Sequence, residues 1–157
     1  AIIESDNAHV HLLNACLGSG LNSPLYQEIR EKKGLVYYVS MYQSRMNESG
    51  VTSISTMTTD ENINPVIDCV SDIFNNIDSH LTKERFEIVK ESTKINLKKS
   101  DISRYGNVGR WLNPSGWSVA DIIEDVTYDD MMETFEANYD MDKFYVSNDK
   151  TEFVSGI

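Results

Sequence analysis

Basic charge, histidine, cysteine and long apolar runs are all scarce in this chain, and each scarcity narrows what it does. Fourteen Lys and Arg stand against 25 Asp and Glu, a formal net charge of −11 over 157 residues. With no surplus of positive charge to neutralise phosphates, the balance argues against a nucleic-acid partner. The basic residues that do cluster, Arg30, Lys32 and Lys33 and those of residues 94–99, have acidic neighbours and read as solvated helix faces. No apolar stretch approaches the ~20 residues of a membrane-spanning helix. Residues 1–3 run at once into Glu4 and Asp6, unlike a signal peptide. There is no initiating Met, as expected of a processed or excised piece. Cys16 and Cys69 each lie in an apolar helical pattern, which points to two buried reduced thiols and to the cytoplasm or another reducing compartment.

Catalytic constellations are also missing. A zinc hydrolase needs two His on one helix face, a further ligand and a general base. Only His9, His11 and His80 exist, and His9 and His11, two apart, fall on different faces of a helix. Neither H-E-x-x-H nor H-x-x-E-H occurs, and G-x-S-x-G, a phosphate loop, Cys-x-x-Cys and a dinucleotide fingerprint are absent. Cys16 near His9 and His11 is the remaining nucleophile candidate, but it sits on the apolar side of its helix. No metal ligands and no catalytic residues are expected in this chain.

The periodicity alternates between helix and strand. Residues 8–17 read as a short apolar helix stopped by Gly18-Ser19-Gly20. Ser23-Pro24 reads as N-cap and first position of a second helix, which carries Leu25 and Ile29 and ends at Gly34. Residues 36–46 and 51–59 form an expected antiparallel hairpin around Asn47-Glu48-Ser49-Gly50. One long helix follows, with Ile63, Ile67, Val70, Phe74 and Ile77 as its apolar stripe. Thr82 caps the next, whose stripe is Phe86, Val89, Thr93 and Leu97. Residues 101–117 read as mixed, and a short helix is expected near 118–124. Thr127-Tyr128-Asp129-Asp130 opens a last helix to about Tyr139, residues 143–147 form a closing strand, and the end reads as polar and loose. The fold class is α+β, a small, mostly antiparallel sheet packed against several helices, in one domain over residues 1–157.

Residues 13–39 (LNACLGSGLNSPLYQEIREKKGLVYYV) resemble a signature segment of the pitrilysin/insulinase family of zinc peptidases, which includes the mitochondrial processing peptidases. The matching residues are Leu17-Gly18-Ser19-Gly20, Ser23, Leu25, Tyr26, Ile29-Arg30-Glu31, Gly34-Leu35 and Tyr37, with Ser19 where the family usually has Gly. The order of elements extends the likeness, more weakly, over residues 8–147. The resemblance implies one half of a two-part clamshell that closes around a peptide. In that family one half carries zinc on H-x-x-E-H, and the other contributes an Arg and a Tyr separated by six residues. Arg30 and Tyr37 have that spacing. The chain therefore resembles the zinc-less, C-terminal-type half, with its first strand or strands reduced to residues 1–4 or lost.

On this reading Arg30 and Tyr37 bind substrate, zinc and general base belong to a homologous partner half in trans or on a longer precursor, and the chain is inactive alone. The acidic balance favours basic peptides by long-range attraction. The alternative is a catalytically silent structural subunit of the same fold, as in the respiratory cytochrome complex. Taken as residue types alone, Arg30 pairs with Glu28 or Glu31, and Tyr37 and Tyr38 are ordinary sheet residues.

Overall fold

An apolar helix surrounded by other elements organises the molecule. The computed structural model describes residues 2–3, 8–46, 49–102, 123–139, 144–147 and 153–155. Helix α1 (Ala8–Gly18) buries Ala8, Val10, Leu12, Leu13, Cys16 and Leu17, which lie on nearly every side of it. A helix apolar all round must be enclosed. It is: α1 packs against strand β2 (Tyr38–Met46) and against helices α4 (Lys83–Ile102) and α5 (Tyr128–Asn138). The approach to β2 is close at Gly18, where a Cβ would overlap that of Met41 and lie 2.8 Å from its backbone nitrogen.

The expected hairpin forms from β2 and β3 (Ser49–Met57), in unbroken antiparallel register from Tyr38↔Met57 to Met46↔Ser49. Val39 and Met41 face the core, while Tyr38, Tyr42 and Ser44 are exposed, the period-2 alternation of a sheet with one solvated face. A two-residue strand, β1 (Ile2–Ile3), pairs antiparallel with β3, so the sheet order is β1-β3-β2. The expected turn residues Asn47 and Glu48 lie outside the described residues.

The single long helix expected after Asp60 is instead two, α2 (Ile63–Asn75) and α3 (Ile77–His80). The break falls at Asn76, whose backbone leaves the helical region (φ −118°, ψ 37°) while its N–H and Nδ2 both donate to the carbonyl of Asp72 (3.1 and 2.9 Å). The buried stripe is also rotated: Val66, Cys69, Val70, Ile73, Phe74 and Ile77 face the core, while Ile63 and Ile67 are half-buried. The next two helices start as read. The Thr82 hydroxyl accepts from the Arg85 N–H at the head of α4 (3.2 Å), and Phe86 and Thr93 are buried beneath that helix. At α5, the Thr127 hydroxyl accepts from Asp130 N–H while the Asp130 carboxylate accepts from Thr127 N–H, a complete capping box.

Phe74, Phe135, Tyr139 and Phe144 pack their rings together, with centroids 5.4–6.0 Å apart. The chain end is not uniformly loose: β4 (Tyr145–Ser147) pairs antiparallel with β5 (Phe153–Ser155). Most of the mixed segment and short helix expected over residues 101–124 lies outside the described residues.

Candidate functional site

Arg30 stands on a helical segment wound more widely than the sequence implies. Ser23 begins it as expected: its hydroxyl accepts from Tyr26 N–H (3.3 Å) and its carbonyl from Gln27 N–H (2.9 Å). Leu25 and Ile29 anchor the inner face, both fully buried. From Tyr26 to Lys32 the winding is that of a π-helix. Such wide turns are rare and recur at functional sites. The segment closes at Gly34, whose φ of +60° only glycine adopts readily. Gly34 N–H reaches the Arg30 carbonyl, and Leu35 N–H reaches that of Ile29, each at 3.0 Å. The exit is then pinned to the sheet side. The Leu35 carbonyl accepts from the Thr58 hydroxyl (2.6 Å), and Tyr37 N–H donates to the Met57 carbonyl (2.9 Å).

These constraints bring the two sequence-selected residues together. The Arg30 guanidinium carbon lies 5.9 Å from the centroid of the Tyr37 ring and 4.8 Å from that of Tyr26. Arg30 Nη1 also donates to the Tyr26 hydroxyl at 2.6 Å. Tyr37 is 75% exposed, and its hydroxyl makes no hydrogen bond among the described residues. Tyr38, by contrast, shares a hydrogen bond with the Ser55 hydroxyl (3.1 Å), as a sheet residue does. Pairing of Arg30 with a neighbouring carboxylate does not occur among the described residues. Glu28 pairs with Lys32 instead, at 2.6 Å.

Tyr26 is the component that sequence reasoning passed over, noting it only as a match to the signature. The signal was present, because residues four apart on a helix are neighbours. The site thus consists of a half-buried cation held between two phenol rings beside an open phenolic O–H, suited to binding carbonyl or carboxylate oxygen and to hydrogen-bonding a developing negative charge.

No group of three His, Cys, Asp or Glu among the described residues is arranged to hold a metal ion. Zinc requires three or four converging N, S or O donors, so the described residues do not fit it. The Cys16 thiol is fully buried, and that burial pushes its pKa up to about 12, against a partly offsetting effect of Arg85. It stays protonated and inert near neutrality. Cys69 is likewise buried, and both cysteines are free. No helix among the described residues is long and apolar enough to cross a membrane.

Comparison with known proteins gives a concordant picture. A family model described as the peptidase M16 inactive domain matches residues 3–93. An uncharacterized zinc protease of Rickettsia felis is 26% identical over 133 residues, which cover 78% of this chain and 32% of that protein. One of Streptomyces coelicolor is 30% identical over 122 residues, covering 77% of this chain and 26% of that protein. The chain thus spans roughly a quarter to a third of the length of these relatives. Among solved structures, a peptidase M16 inactive domain from Pseudomonas fluorescens superposes with a TM-score of 0.62 at 19% identity, over 87% of this chain and 35% of that one. At that identity the likeness concerns the fold.

Proposed function

The chain belongs to the peptidase M16 inactive-domain family, and from that premise we propose that it is the zinc-less half of a metalloendopeptidase, supplying Arg30 and Tyr37 to the peptide bound by a zinc-bearing partner half. The partner stands in trans or on a longer precursor. It supplies the zinc-activated water and the general base; this chain supplies binding and charge stabilisation. The observation that carries the reading is the juxtaposition of Arg30 with Tyr37, where no carboxylate among the described residues neutralises the guanidinium and the phenol is open to solvent.

The roles follow from the chemistry of the two groups. Arg30 donates to a peptide carbonyl through its planar guanidinium and orients it. Tyr37 donates its O–H to the oxyanion formed when water adds to that carbonyl, an interaction stronger in the transition state than in the ground state. Losing one such donor lowers kcat by about 10²–10³.

The test is cleavage of a quenched peptide by the chain mixed with its H-x-x-E-H partner half. Tyr37→Phe should lower kcat by about 10²-fold with little change in KM, whereas Arg30→Ala should raise KM as well. Should both variants match the wild type in an active mixture, the substrate-binding assignment is wrong, and a silent structural subunit becomes the better reading.

A further inference from the structure

Helix α4 turns two large apolar side chains to solvent. Ile88 is 63% exposed and Ile95 51%, while Phe86 and Thr93 are buried and Val89 and Leu97 pack against the core. Single apolar residues scattered over a surface need no explanation. These two stand seven residues apart, about 10.5 Å along one face, which is a heptad spacing. Ile is also a weaker helix former than the Lys and Glu around it, so helix stability alone does not call for it at solvated positions.

Charges on the same face are sorted by sign along the helix. At ~100° per residue, Glu84, Ile88, Glu91, Ile95 and Lys99 fall within a quarter of the circumference, and all are exposed. Glu91 holds Lys94 of its own helix (3.0 Å), whereas Glu84, Lys98 and Lys99 make no ion pair among the described residues. The helix dipole accounts for Glu at the start and Lys at the end. It does not account for the two Ile between them.

Two copies of this stripe complement each other only when antiparallel. With a two-fold axis between residues 91 and 92, Ile88 of one copy meets Ile95 of the other, Glu84 meets Lys99, and each contact is made twice. In-register parallel pairing sets Glu84 on Glu84 and Lys99 on Lys99, which like charges oppose. A net charge of −11 works against self-association over most of the surface. Residues 83–99, with six Lys and Arg against three Glu, are where that repulsion is least.

We propose that the exposed face of α4 is a self-association surface, on which a second copy of this chain docks its own α4 antiparallel, Ile88 against Ile95 and Glu84 against Lys99. The paired length, residues 84–99, is about 22 Å at ~1.5 Å per residue. A seam of that size falls short of the ~800 Å² per partner of a standard interface, so the dimer is weak and reversible. The inference does not depend on Arg30 and Tyr37, which stand on the π-helical segment and just before β2.

Sedimentation velocity of the 157-residue chain, from about 10 µM to 1 mM at low salt, should show monomer passing to dimer, with less dimer at high salt. Ile88→Glu should weaken the dimer at least tenfold with Tm unchanged, because that side chain faces solvent in the monomer. Glu84→Lys and Lys99→Glu should each weaken it about fivefold, and the two together should restore it, since the swap rebuilds both ion pairs with reversed signs. Under oxidation, Ile88→Cys and Ile95→Cys chains should cross-link when mixed but not separately, since identical positions then lie about 10 Å apart along the axis. The native Cys16 and Cys69 are buried and do not interfere. A monomer at every concentration, or a dimer indifferent to Ile88→Glu, overturns the proposal, as does preferential cross-linking of either cysteine variant with itself. Loss of the dimer when the H-x-x-E-H partner half is added, together with failure of Ile88→Glu to bind that half, assigns the face to the partner half and overturns the second copy as its occupant. In each case cleavage by the Tyr37→Phe mixture judges the substrate-binding reading separately.

Discussion

The guanidinium of Arg30 is held by two tyrosine rings and a phenolic oxygen, with no carboxylate partner among the described residues, so its positive charge is directed but not cancelled. A carboxylate at that position would compete with any substrate oxygen, whereas a phenol constrains the guanidinium and leaves its charge intact. On the proposed reading of the site, Tyr26 is a positioning residue for Arg30. Its hydrogen bond to Arg30 is of the kind worth about 1 kcal/mol net, or about fivefold in an equilibrium or rate. Tyr26→Phe should lower kcat/KM of the reconstituted peptidase by about fivefold in the wild-type background and have no effect in an Arg30→Ala background. A double-mutant cycle measures this, and equal losses in both backgrounds show that Tyr26 acts by another route.

Two contacts at the level of elements hold the site-bearing segment in place. Arg85, on the first turn of α4, sends Nε to the carbonyl of Cys16 (2.8 Å) and Nη1 to that of Asn22 (2.6 Å). It satisfies an otherwise orphaned carbonyl at the end of α1 and fixes the turn that leads into the π-helix. Arg85→Ala should destabilise the chain by about 2 kcal/mol, the scale for charge-assisted bonds at a half-buried site. That corresponds to about 4–8 °C in Tm for a chain of this size. At α5, the Thr127 hydroxyl and backbone N–H hold the Asp130 carboxyl below its usual pKa. A carboxylate depressed in the folded state stabilises above its unfolded pKa of about 3.9, and that contribution is lost as pH falls through the folded value. Replacing Asp130 with Asn should therefore flatten the fall in Tm below about pH 4 relative to the wild type, as calorimetry across that range would show.

The capping box was legible because Thr and Asp three apart before an apolar run have one obvious use, and the α1 core because its residues are apolar on every side. The π winding was not, since Leu25 and Ile29 at i and i+4 fit an α-helix equally well. The rotated stripe of α2 was missed because Ile63 and Ile67 match the helical period but the sheet and neighbouring helices select Val66, Cys69 and Ile73. Arg30 and Tyr37 were found from the resemblance to a known segment.

On the scale of the whole molecule, a buried triangle of polar groups joins the layers. Tyr139 at the end of α5 donates to Asn14 Oδ1 on α1 (2.7 Å), Asn14 Nδ2 donates to the Thr52 hydroxyl on β3 (3.3 Å), and the Tyr139 and Thr52 hydroxyls lie 3.4 Å apart. Burial pushes the Tyr139 phenol well above its usual pKa, so it remains a donor. This network keys helices to sheet behind the hairpin, and the Arg30–Tyr37 site stands where the π-helix meets the start of β2. The measurement that bears most directly on the account is zinc content and peptide cleavage of the purified chain, alone and after mixing with its H-x-x-E-H partner half. The account predicts a metal-free, silent chain alone and cleavage in the mixture. Stoichiometric zinc and cleavage by the isolated chain contradict it.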